Sequence, residues 1–188
     1  MAIVALPKPK ARNLYLPDQV TQESMNKLTK SIIEINEDDK YLVKLYAIND
    51  VQYAPQPIKL YIDSYGGAVY QCFGLLGIMG KSETPIHTIV TGAAMSCGFM
   101  ILISGHRRLG YIHSTPLYHQ VSTGFFGNVK DMEEKLEETK RIQKKIEDIT
   151  LERTSISKKK LIDVLKNKKD WYMTAEEALE LGVIDEIV

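Results

Sequence analysis

Apolar positions recur along this chain with periods that change from segment to segment, and the changes divide it into elements. From Thr21, a side chain suited to capping a helix, Met25, Leu28, Ile32 and Ile35 follow at spacings of three or four and predict one helical face ending near Asn36. A short strand over residues 13–16 comes before it. Leu42, Val43, Leu45, Tyr46 and Ile48 suit a strand and equally a continuation of that helix, and Pro55 and Pro57 end either one.

Two units then repeat the same order. Residues 58–63 predict a strand, residues 64–67 a sharp glycine turn and residues 68–79 an apolar helix. After Pro85, residues 86–90 predict a strand that runs through the small-residue turn 91–98 into a second apolar helix over 96–104. This alternation predicts an α/β fold of parallel strands joined by right-handed crossovers, with helices covering the sheet. Strands at 109–112 and 117–121 extend it. Residues 128–153 predict a highly charged helix on which Val129, Met132, Leu136, Ile142, Ile146 and Ile149 form one narrow stripe, so this helix needs a partner surface. Ser157 caps a shorter helix, Thr174 and Glu177 form a capping box for a helix ending at Gly182, and residues 183–188 close as a strand. Residues 1–11 have no apolar period and read as a flexible arm, which leaves 12–188 as one domain.

Composition narrows the function classes. The 188 residues carry 24 Lys and Arg against 24 Asp and Glu, so no global basic field exists to hold nucleic acid as a main partner. The longest weakly polar stretch, 92–105, falls short of the ~20 apolar residues a membrane-spanning helix needs. Charge after a very short apolar run at the start is the reverse of a secretory signal. Cys72 and Cys97 are too few for a disulfide framework and lack metal-binding spacing, which points to a reducing, cytoplasmic compartment with no metal or cofactor.

Crossover sheets carry their working groups at the carboxyl ends of strands. Two such ends stand out. Gly66 and Gly67 let the backbone turn tightly and aim N–H groups at a ligand, while the small residues 92–98 clear space around Ser96 at the start of a buried helix. A serine nucleophile needs a base, and His87, His106, His113 and His119 are available. His119 follows Leu117 and Tyr118 on a strand whose end lies beside the serine turn. A histidine in such a strand is more often packed than catalytic, so the pattern alone leaves the base open. It leaves the acid more open still, because spacing favours none of the 24 carboxylates.

Residues 58–67, 91–105, 118–120, 169–178 and 181–185 together resemble the Clp protease proteolytic subunit family, and order and separation agree throughout 12–188. The resemblance implies the ClpP/crotonase-like fold of repeated β-β-α crossover units, with the helix at 128–153 as part of a protruding handle over about 122–153. It implies serine peptide hydrolysis with Ser96 as nucleophile, His119 as base and Asp170 as the orienting acid. The backbone N–H groups of Gly67 and Cys97 would meet the oxyanion, and Gly124, Phe125 and Phe126 would pair with extended substrate. The Cys97 thiol has no part in that scheme and reads as small-residue packing. Implied partners are a peptide or unfolded-protein substrate and further copies of the chain in two stacked sevenfold rings around a chamber.

The chain also departs from the family pattern. Asp63 and Tyr65 replace the usual asparagine and proline of the glycine turn, and Val121 replaces a proline after His119 and Gln120. The arm before Arg12 is short, the stretch before Ile58 is long, and Lys59 stands where an aromatic usually helps dock the AAA+ unfoldase, although Tyr61 remains. Unfoldase docking is therefore left open. Two other readings are a crotonase-like acyl-CoA enzyme, which shares a two-amide oxyanion site without requiring all three of Ser96, His119 and Asp170, and a catalytically idle ring serving as scaffold.

Overall fold

The structure, a computed structural model, describes residues 7–167 and 170–188. The strands are β1 (Asn13–Val20), β2 (Ile58–Gly67), β3 (Ile86–Met95), β4 (Arg107–Gly110), β5 (Thr115–Tyr118), β6 (Trp171–Tyr172) and β7 (Glu186–Ile187). The helices are α1 (Gln22–Ile48), α2 (Val69–Lys81), α3 (Cys97–Ile103), α4 (Val129–Arg153), α5 (Lys158–Lys166) and α6 (Ala175–Glu180). Five strands run in the order β1, β2, β3, β4, β7, and every neighbouring pair among them is parallel. β5 pairs in parallel with the carboxyl end of β3, on the edge that β4 occupies farther back, and β6 pairs with β5 in the antiparallel sense.

The mixed α/β expectation and the parallel sheet therefore agree with the fold. Period-two burial makes β2 one-sided: Ile58, Leu60, Ile62, Ser64 and Gly66 are buried, while Lys59, Asp63, Tyr65 and Gly67 are exposed. α3 is apolar all round, and all seven of its residues are buried. It is wedged against β2 and β3 with α2, α4 and β5 also against it, and Phe99 meets Tyr118 of β5 edge to face at 5.7 Å.

Several boundaries differ from the sequence reading. The first helix does not stop near Asn36; it runs to Ile48, so the apolar residues 42–48 belong to it and not to a strand. Asp39, past the expected end, is buried and faces Arg12, Tyr53 and Thr84. β2 and β3 extend through their glycine turns, because Ser64 pairs with Ala94 and Gly67 with Val20. β4 starts at Arg107, and the closing strand contracts to Glu186–Ile187. Of the expected arm, residues 1–6 lie outside the described residues; beyond them, Pro7 O accepts a hydrogen bond from Tyr46 Oη at 3.1 Å. No helix among the described residues is long and apolar enough to cross a membrane.

Candidate active site

Ser96 is the single residue between β3 and α3, and it turns the chain with φ 55° and ψ −116°. That left-handed conformation costs a side-chain-bearing residue about 1–3 kcal/mol and needs its surroundings to enforce it. Two features do so. The Ser96 N–H donates to Leu117 O at 3.1 Å, tying the turn to β5. On the other side Gly66, at φ 94°, lies so close that a Cβ there would stand 2.7 Å from both Met95 O and Ser96 Cβ. A strand-to-helix turn this sharp lifts the serine Oγ clear of its own backbone, as in nucleophile elbows.

Strand register brings the other groups to the same place. β5 runs beside the end of β3 with Leu117 opposite Met95, so the chain just after β5 passes the serine turn. β6 lies against β5 with Trp171 opposite Tyr118, and one further step in that register sets His119 opposite Asp170. His119 is thus just past the strand end and not within the strand. Its Nδ1 is 3.7 Å from Asp170 Oδ1, longer than a hydrogen bond. The Asp170 side chain is 59% exposed and the His119 side chain 27%, so water screens this pair. No hydrogen bond joins Ser96 to His119; catalytic contacts of this kind commonly tighten only when substrate binds. Lys169, which opens the segment carrying Asp170, lies outside the described residues.

Ser96 and His119 line one cavity of about 200 Å³ together with Gly67, Cys97 and Ser122. Val69, Met100, Tyr118, Val121 and Ile146 form its apolar wall. Burial, with the nearby charge of Glu147, pushes the Tyr118 hydroxyl up to about 12, so it stays neutral and does not compete as a base. Cys97 opens α3, which leaves its N–H without an acceptor inside the helix, and its Sγ–H donates to Gly67 O at 3.3 Å. Gly124, Phe125 and Phe126 lie outside this lining; Phe126 is 95% exposed and Lys135 Nζ sits 6.0 Å from the Phe125 ring centre. The other histidines lie elsewhere: His106 Nδ1 accepts the Ile86 N–H at 3.0 Å, far down the sheet from the serine turn.

Three contributors escaped the sequence reading. Ser64, fully buried, donates to Asp18 O at 2.8 Å and accepts the Gly66 N–H at 3.2 Å, which fixes the glycine turn. The period-two alternation of Ile58, Leu60 and Ile62, carried one step further, would have put it on the core face. Gln143 accepts the Val121 N–H at 2.9 Å and so ties the segment after His119 to α4. The two-residue β6 is too short to leave a periodic signal, yet its pairing sets Asp170 against His119.

The family described as Clp protease matches residues 9–188. This chain belongs to the Clp protease family. The ATP-dependent Clp protease proteolytic subunit of Deinococcus radiodurans is 33% identical to this chain over 141 residues, which is 74% of this chain and 68% of that protein. The ATP-dependent Clp protease proteolytic subunit 1 of Prochlorococcus marinus is 28% identical over 178 residues, 94% of this chain and 83% of its own length. Family membership and these relatives support serine endopeptidase function for this chain.

Proposed function

We propose that this chain cleaves peptides or unfolded proteins through Ser96, His119 and Asp170. The observation that carries the reading is the strained Ser96 turn, opening into a cavity that His119 also lines while Asp170 stands across from His119 Nδ1. In the reaction His119 takes the Ser96 hydroxyl proton as Oγ attacks the scissile carbonyl, and ionised Asp170 holds the imidazole in the required tautomer. The tetrahedral oxyanion meets the N–H groups of Gly67 and Cys97, each donor contributing about 3 kcal/mol of transition-state stabilisation. His119 then passes its proton to the leaving amine, and water attacks the acyl-Ser96 ester by the same route in reverse. Closing the 3.7 Å separation of His119 and Asp170 is the adjustment that substrate binding has to supply.

Residues 122–127 have no regular secondary structure, which leaves the backbone of Gly124, Phe125 and Phe126 available to pair with an extended peptide. The relatives are named subunits of an ATP-dependent protease. We extend to this chain assembly into a homo-oligomeric chamber of stacked sevenfold rings, in the cytoplasm, and association with an AAA+ ATPase.

A fluorophosphonate probe together with a short fluorogenic peptide tests the reading. Wild type is expected to label and to hydrolyse the peptide, and Ser96→Ala to do neither. An assembled wild type that neither labels nor hydrolyses would favour an idle scaffold. Acyl-CoA turnover surviving in Ser96→Ala would favour a crotonase-like enzyme.

A further inference from the structure

Two thiols that the proposed mechanism leaves unused meet behind the candidate oxyanion site. Cys97 is the residue after Ser96 and lines the cavity, and Cys72 comes from the facing side of α2. Cys72 Sγ donates to Cys97 O at 3.6 Å, which brings the Cys72 sulfur against the Cys97 residue. Both are reduced and each is 3% exposed or less, and Cys97 lines the cavity, so a small oxidant such as hydrogen peroxide meets Cys97 there.

We propose that Cys97 is an oxidation site and that Cys72 closes it into an intrachain disulfide that weakens peptide cleavage. The chemistry is asymmetric. The neighbouring Cys72 thiol draws the Cys97 thiol below its ordinary pKa in spite of burial. The same pairing, reinforced by burial, pushes the Cys72 thiol well up. Cys97 is thus the thiolate-forming partner and Cys72 the resolving one. The Cys97 thiolate attacks one oxygen of hydrogen peroxide and the O–O bond breaks; the departing hydroxide takes a proton and leaves as water, with a sulfenic acid on Cys97. Cys72 sulfur then attacks Cys97 sulfur and expels hydroxide, which leaves as water with the Cys72 proton. Two thiols and one peroxide become one disulfide and two waters.

The effect on catalysis follows from what the Cys97 thiol does when reduced. It donates to Gly67 O, bracing together the two backbone segments whose N–H groups form the candidate oxyanion site. A disulfide to Cys72 removes that donor and pulls Cys97 away from Gly67, so the two amides no longer converge. This second half rests on the proposed function; the disulfide itself does not.

The test treats the assembled protein with hydrogen peroxide, counts thiols with DTNB after denaturation and follows fluorogenic peptide hydrolysis. The expected result is a fall from two thiols to none and a non-reducing peptide map joining the Cys72 and Cys97 segments. Hydrolysis should drop about 10²-fold, the loss typical of one oxyanion donor, and dithiothreitol should restore both readouts. Cys72→Ser should give no cross-link, while dimedone traps a sulfenic acid on Cys97. Two thiols persisting after peroxide, a dimedone adduct absent from Cys97, or a complete disulfide with an unchanged hydrolysis rate would each overturn the proposal. If reduced wild type fails to cleave peptide at all, the proposed function fails, while the thiol count still decides whether the pair forms.

Discussion

At the scale of single residues, the site depends on a glycine that never touches substrate. A Cβ at position 66 would press to 2.7 Å on Met95 O and Ser96 Cβ, and φ 94° already disfavours any side chain there. Gly66→Ala is therefore expected to displace the Ser96 turn, lowering kcat/KM by about 10²-fold and stability by about 2 kcal/mol. Steady-state peptide hydrolysis and urea denaturation measure the two effects, and a variant with wild-type values in both would show that the turn has room to yield. Asp170 poses a different question, because it is largely solvated. In buried triads an aspartate-to-asparagine change costs about 10⁴-fold in kcat by stabilising the wrong tautomer. With the Asp170 side chain 59% exposed, water shares the work of orienting His119, so Asp170→Asn should cost about 10²-fold instead. The cost should appear in kcat with KM little changed. A loss confined to KM would assign Asp170 to substrate contact.

Among the elements, α1 is held by its second half as much as by its first. Arg12 forks onto Asp39, with Nη1 to Oδ2 at 2.7 Å and Nη2 to Oδ1 at 2.5 Å, while Tyr53 and Thr84 donate to the same carboxylate. Burial pushes the Asp39 carboxyl up, but hydrogen bonds from Arg12, Thr84 and Tyr53 outweigh it and hold the group below its ordinary 3.8. A carboxyl lowered on folding stabilises the fold above its unfolded pKa, and that contribution is lost as pH falls through the folded value. Arg12→Ala strands a buried carboxylate and should cost about 3 kcal/mol at neutral pH. The deficit should shrink toward pH 3, because without Arg12 burial raises the Asp39 carboxyl and protonation then relieves the stranded charge. Urea midpoints at the two pH values decide the matter, and equal deficits would remove Asp39 from the explanation. This clamp also explains what was legible. Long-period signals came through: the faces of α1 and α4, the caps at Thr21, Ser157 and Thr174, and the two strand-turn-helix units. The continuation of α1 did not, because its anchor is a charged residue whose burial depends on an arginine 27 positions earlier. β6 was equally hidden, since two residues carry no period and their pairing with β5 is nonlocal. For the site, small residues marked both turns, but the choice of His119 and Asp170 needed a family resemblance, because register across β5 and β6 cannot be read from spacing.

For the molecule as a whole, α4 divides into a half that belongs to this domain and a half that does not. Ile142, Ile146 and Thr150 are buried against it, whereas Val129, Met132 and Leu136 on the same helix are 73%, 43% and 48% exposed. The exposed half is a well-formed helix in its own right. Asn128 and Asp131 close a capping box at its start, and Glu137 with Lys140 and Glu138 with Arg141 pair along its surface. A helix secured locally while presenting apolar side chains to water is arranged for contact with something outside the chain. A formal net charge of zero puts no long-range repulsion between copies. Met132→Asp with Leu136→Asp is therefore expected to leave circular dichroism and thermal melting close to wild type, since neither side chain is in the core. In sedimentation velocity at micromolar concentration, wild type should run far heavier than 21.3 kDa and the double variant lighter than wild type. Wild type sedimenting only as a monomer would remove the need for a partner copy. A double variant that assembles normally would place the contact on another face, leaving the exposed stripe without the role its geometry assigns it.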